Sequence, residues 1–201
     1  MRKIALASLL LMVLFAVQAQ GQCDVTIYEI QTGAVAVGTL VNPCDLVVTA
    51  TTYNGFWCAE APYGAYNGIW VYTGSTEPHG LVEGDVVAVC GQYKEYYDLS
   101  EIDVVSARTY GSALKTGTTE VPLPTVLAAE NLMADPEPWE SCTITIEDGM
   151  EVTDITLGYG EWLSMTLDMV ELRFDDVFYD FSTIFEGQCH NNATGIWTYT
   201  Y

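Results

Sequence analysis

Two short runs carry the residues best suited to hold a cation. EDGMEVTD (147–154) presents Asp148, Glu151 and Asp154, and FDDVFYD (174–180) presents Asp175, Asp176 and Asp180. Carboxylate oxygens are the usual ligands of calcium, and extracellular modules use weak sites fed by an abundant ion. The spacing is not that of an EF-hand loop. Strand residues share a face at a period of two, and these acids are not spaced that way, so coordination would depend on the turns between them. Calcium is the one cofactor these residues suggest. Zinc has no ligand set, because no C-x-x-C occurs and only His79 and His190 could offer imidazole. G-x-S-x-G, H-E-x-x-H, the Walker loop and G-x-G-x-x-G are all missing, and neither histidine has a nucleophile partner in sequence, so the expectation is a non-catalytic protein.

Aromatic side chains are the second candidate set, since their flat faces stack on bases or sugars. Trp57, Trp70 and Tyr72 lie in alternating apolar runs, and Tyr63 and Tyr66 lie in the APYGAYNG loop (61–68). Tyr93, Tyr96 and Tyr97 follow the break at Gly91 in VEGDVVAVCGQYKEYYDL (82–99). In that stretch Val86, Ala88 and Cys90 share one face and can line a core, and the tyrosines that follow fall on both faces, so at least one should meet solvent.

The elements that would position these groups are strands. LVVTATTY (46–53), FWCAE (56–60), IWVYT (69–73), DVVAVCGQY (85–93) and residues 99–110 are short apolar–polar runs with glycines at their corners, as in a small barrel. TGTTEVPLPTV (116–126) reads as a linker around Pro122 and Pro124, and TVLAAENLMA (125–134) as the one helical stretch. A second β-rich block follows in CTITIED, MEVTDITL, EWLSMTLD, VELRFDD and GIWTYTY. Gly55-Phe56-Trp57 has a counterpart in Gly160-Glu161-Trp162, which suggests a tandem of similar units. The last run coincides with the end of the sequence, so the second unit is expected to be short of a closing strand or to take one from a partner.

MRKIALASLLLMVLFAVQAQ has a basic start and an apolar run too short to span a bilayer, the pattern of a secretory leader cleaved after Ala19. Without residues 1–19 the chain has four basic against 27 acidic residues, a formal charge of −23. Such a chain repels nucleic acid, so DNA or RNA is a poor partner for it alone. Six cysteines in an exported chain suggest three disulfides, with Cys23–Cys44, Cys58–Cys90 and Cys142–Cys189 the pairing expected. Asn192-Ala193-Thr194 is a glycosylation sequon.

Val48-Thr49-Ala50, Gly55-Phe56, Gly68-Ile69-Trp70-Val71, Gly84-Asp85-Val86-Val87 and Gly91 through Glu95-Tyr96 together resemble the OB-fold domain that precedes the catalytic domain in secreted bacterial nucleases of the endonuclease/exonuclease/phosphatase type. The resemblance spans residues 26–110 and extends faintly over 136–201. It implies an OB barrel in which Gly91 lets a long strand bend. It also implies a ligand face on the second and third strands, where Trp57, Trp70 and Tyr72 would lie with Tyr63, Tyr66, Tyr93 and Tyr96 around them. The nuclease domain has no counterpart here, so no catalytic residue carries over.

The expected architecture is therefore all-β: a leader at 1–19, an OB-like barrel at 24–112, a linker with a short helix at 113–135, and a second OB-like unit at 136–201, incomplete by one strand. The expected function is that of a secreted, periplasmic or cell-surface binding or assembly module for a carbohydrate, a protein or a surface, with no membrane span once the leader is removed. A nucleic-acid-handling subunit of an extracellular nuclease is the alternative. Self-assembly into a homo-oligomer through an open β edge is a third.

Overall fold

In the first half of the chain the strand 85–96 alternates for most of its length between buried and half-buried side chains, while the strands 46–52, 55–59 and 68–72 are buried on both faces over most of theirs. A computed structural model describes residues 23–74 and 80–198; the expected leader at 1–19 and His79 lie outside them. A short helix, α1 (Ile27–Gln31), starts at a capping box in which Thr26 and Glu29 satisfy each other's backbone N–H groups. This fixes Ile27 and Ile30, both fully buried, against the core of the strands that follow. Those strands are β1 (Leu40–Val41), β2 (Leu46–Thr52), β3 (Gly55–Ala59), β4 (Gly68–Tyr72), β5 (Asp85–Tyr96), β6 (Leu99–Asp103) and β7 (Ser112–Thr118).

Their pairings form a ring. β2, β3 and β4 are an antiparallel meander, β4 runs parallel to β6, β6 returns antiparallel to β5, and β5 closes onto β2. This is a five-stranded Greek-key circuit of the OB type, with β1 and β7 added along β5. Inside are Leu46, Val48, Phe56, Ile69, Val87 and Ile102 with their neighbours.

β5 serves both sides of the ring, and Gly91 is where it changes partners. Before it β5 pairs with β2 and β7, and after it with β6. A Cβ at Gly91 would lie 2.4 Å from Ile102 Cγ2, so the close approach needs glycine. The inward set of β5 is Val87, Val89 and Tyr93, so Val86, Ala88 and Cys90 face the other way, contrary to the expectation above. Both sets are apolar between 86 and 90. The polar Gln92 and Lys94, in step with Cys90, settle the parity. Tyr97 and Asp98, both at positive φ, form a two-residue turn between β5 and β6.

The second block contains β8 (Thr125–Leu127), α2 (Ala129–Ala134), β9 (Thr143–Ile146), β10 (Met150–Gly158), β11 (Glu161–Thr166), β12 (Glu171–Phe174), β13 (Cys189–His190) and β14 (Ala193–Ile196). They make two sheets, ordered β12-β11-β10-β13 and β14-β9-β8. The sheets share a core of Leu132, Ile144, Ile146, Met150 and Leu172, yet no strand of one pairs with a strand of the other among the described residues. The result is a curled half-barrel in place of a second closed ring.

The interval expected to be a linker is mostly structured. Residues 112–118 are β7 and 125–127 are β8, which leaves only 119–124 as a connection. The β7 sequence SALKTGT is small, polar and largely exposed, which disguises it as a linker. The seam between the blocks is close: Tyr66 N–H donates to the Pro138 carbonyl at 2.6 Å, and Ser100 N–H donates to Glu140 Oε1 at 3.1 Å.

Of the three expected disulfides, the structure contains Cys23–Cys44 and leaves the other four cysteines as thiols. Cys58 points into the barrel core while Cys90 sits on the outward face of β5. Cys142 is buried at the seam, 3.2 Å from the Gly64 carbonyl, whereas Cys189 is exposed on β13. Cys58 inside the barrel and Cys90 outside it cannot be bridged without moving the backbone. Burial pushes the Cys58 thiol far above its ordinary range, with Glu60 adding to it, and raises Cys142 to about 11.

Candidate functional site

The aromatic residues singled out from the sequence do not share one surface. Trp57 and Trp70 are cross-strand neighbours on β3 and β4, with ring centroids 4.3 Å apart. They form a small core with Ala50, flanked by Tyr72, Leu99 and Ile196. Phe178 meets Trp57 edge-on at 5.6 Å. Ile196 and Phe178 belong to the second block, so the β3–β4 face, where OB barrels take ligands, is covered by the chain itself. Tyr93 is buried in the barrel, and its hydroxyl donates to the Glu95 carboxylate. Tyr63 is exposed in its loop, Tyr66 packs edge-on against Tyr28, and Tyr96 sits beside Tyr97 at the β5–β6 tip.

The acidic runs do not converge either. Asp148 accepts from Ala129 N–H at 2.6 Å at the start of α2. Asp154 accepts from the backbone and hydroxyl of Thr156, Asp175 from Val177 N–H, and Asp180 from the backbone and hydroxyl of Ser182. The Asp176 carboxyl packs where a Cβ on Gly160 would stand, and Glu151 is exposed on β10. Among the described residues no three His, Cys, Asp or Glu side chains are grouped to hold a metal ion. At Asp154, Asp175 and Asp180 the carboxylate satisfies a local turn, a common use of Asp near its own backbone.

What the structure does bring together is a cleft of about 550 Å³ in the mouth of the half-barrel. Its apolar wall combines Ile144, Ile146, Met150 and Leu172 with the rings of Trp162 and Phe174, which stack at 5.4 Å with planes only 13° apart. Trp57 and Phe178 close the end nearest the first barrel. The rest of the lining includes polar and charged residues, with Glu161, Arg173, Asp175, His190, Asn192 and Thr194. Ser164, Trp57 and Trp197 also border the cleft, and their Oγ and Nε1 atoms are buried without a hydrogen-bond partner among the described residues. Buried polar atoms in that state are destabilising unless something pairs with them.

Charge at the rim is negative. Arg173 is engaged by the Glu161 carboxylate, and Asp175 is held above the usual carboxylate range by burial, with Glu161 and Asp176 adding repulsion. No protein family, curated protein or solved structure matches the chain. Its chemistry must therefore be read from the site. Among the described residues no helix is long and apolar enough to cross a membrane.

The sequence places EWLSMTLD and VELRFDD on strands and offers Asp175 and Asp176 as cation ligands, but does not single out Trp162, Ser164, Leu172 or Phe174. A signal was present: Trp162, Ser164 and Thr166 share one parity, as do Leu172 and Phe174, so a serine stands in an inward series between large residues.

Proposed function

We propose that this chain is a secreted, non-catalytic binding module whose ligand site is the cleft of the half-barrel. The observation that carries the reading is an apolar, aromatic cleft of about 550 Å³ bordered by buried, unpartnered donors at Ser164, Trp57 and Trp197. That volume is within the ~300–1,000 Å³ of ordinary ligand pockets, which combine an apolar lining with a few orienting polar groups. The aliphatic wall of Ile144, Ile146, Met150 and Leu172 suits apolar side chains, which favours a protein partner, and Glu161, Arg173, Asp175, Asn192 and Thr194 elsewhere in the lining can meet its polar groups. The nuclease-accessory reading is weakened by two features: the OB ligand face is covered, and the surface is strongly acidic.

Titration with Nile red, a neutral apolar dye, tests the reading. One saturable site is expected, with energy transfer from the cleft tryptophans. Ser164→Leu, which fills the cleft, should weaken binding by about tenfold or more, whereas Leu123→Ala, at an exposed residue outside the cleft, should leave it intact. Absence of saturable binding to the unmodified protein would refute the proposal.

A further inference from the structure

We infer that the occupant of the cleft is an extended peptide segment, apolar on one face and cationic on the other, added as a strand between β12 and β14; this rests on reading the cleft as a binding site. The first ground is the open backbone. Among the described residues β12 pairs only with β11, and β14 only with β9. Among the described residues no other backbone hydrogen bond reaches residues 171–174 or 193–196. Both strands line the cleft, so each brings to it a strand edge unpaired among the described residues. An extended chain can pair with such an edge through its own N–H and C=O groups.

The second ground is side-chain parity. On β12, Leu172 is buried and Phe174 half-buried, while Glu171 and Arg173 are exposed. A strand added alongside continues that alternation, with every second side chain entering the cleft and the others meeting the rim. The inward positions are apolar because the wall they meet is apolar.

The third ground is charge. Among the Asp, Glu, Lys and Arg residues lining the cleft, Glu161 and Arg173 pair with each other, which leaves Asp175, and the exposed Glu171 stands on β12 itself. The outward side chains of the added strand must therefore be basic to complement them. The same argument disfavours a second copy of this chain, since two bodies of formal charge −21 or below repel each other.

The test uses the unmodified protein and varies the peptide. A six-residue peptide of alternating lysine and valine, capped at both ends, should quench tryptophan emission saturably, displace Nile red, and bind more weakly as salt rises. Alternating glutamate and valine should bind at least about tenfold more weakly. So should the lysine peptide N-methylated at every second residue, which keeps the side chains but removes the backbone donors. Equal binding of the N-methylated peptide would overturn strand addition, and equal binding of the glutamate peptide would overturn the charge requirement. If Nile red binds and no peptide displaces it, this inference fails while the cleft remains a binding site. If neither binds, both fail.

Discussion

The two halves of the molecule start alike and finish differently. Each contains a three-strand antiparallel meander, β2-β3-β4 in one and β10-β11-β12 in the other. In each, a tryptophan on the middle strand faces an aromatic on the third: Trp57 opposite Trp70, and Trp162 opposite Phe174. The first meander is closed by β5 and β6 into a filled barrel. The second is left facing a separate sheet, with a void where the ring would have closed. Closure converts apolar strand faces into a core, whereas an open arrangement of the same faces keeps them available to a ligand. On the proposed function, the barrel is the scaffold and the half-barrel the site.

The sharpest way to break that comparison is one substitution made in both places. Ile102→Ala empties space in a core with no outlet, and Ile144→Ala enlarges a space that already exists. Burial-loss costs for isoleucine run ~2–5 kcal/mol and depend on how much of the cavity persists. Urea unfolding should put Ile102→Ala near the upper part of that range and Ile144→Ala near the lower. Equal losses would mean that the half-barrel is as tightly packed as the barrel.

Glycines sharpen the contrast at a smaller scale. A Cβ on Gly68 would lie 2.4 Å from the Ser141 carbonyl oxygen, across the seam, whereas one on Gly195 in β14 would meet nothing within 4 Å. Gly68→Ala should cost about 1–3 kcal/mol, as overpacking does. Gly195→Ala should change stability by less than about 0.5 kcal/mol. A thermal melt of each variant decides this.

Proton linkage at the seam gives the mildest probe. Glu140, fully buried where the blocks meet, is pushed up to about 7 by burial despite the Ser100 N–H bond, with Glu137 and Glu95 adding repulsion. Glu101 is raised to about 7 by burial and by Asp103 and Glu95, against the pull of Lys94. With folded values above the ordinary 4.5, the folded state holds protons that the unfolded state has lost. Stability should therefore fall as pH rises from about 4.5 to about 7, by on the order of 1 kcal/mol per pH unit per group, and level off above. Glu140→Gln should flatten that slope in denaturation curves collected across the window. Asp103, whose own burial is outweighed by bonds to Lys94 and Ser106, stays below its ordinary value and titrates outside this range.

Much of the first barrel was legible because its signals are local. Five alternating runs, the corner glycines and the break at Gly91 each specify a strand or a bend from a few adjacent residues, and the Trp57–Trp162 correspondence follows from the same short patterns. Long-range features were hidden. Nothing near Trp57 in sequence indicates that Phe178 and Ile196, more than a hundred positions away, will cover it. Cys23–Cys44 forms as expected, and the Cys58–Cys90 pair fails for a related reason: both lie on strands, but only register shows that one faces the core and the other does not. The cleft was illegible because it is made by a pairing that does not form among the described strands, and alternation describes strands without saying which of them meet.

The covered tryptophan pair has a practical side. Residues 23–118 form a closed ring of strands, so a boundary drawn after β7 looks like a natural place to cut. A fragment ending there would carry Trp57, Trp70, Ala50, Tyr72 and Leu99 bare on one wall, a contiguous greasy patch of the kind that drives association. The division between the two blocks belongs to the connectivity of the strands, and for expression, crystallisation or grafting the smallest well-behaved unit is the undivided chain.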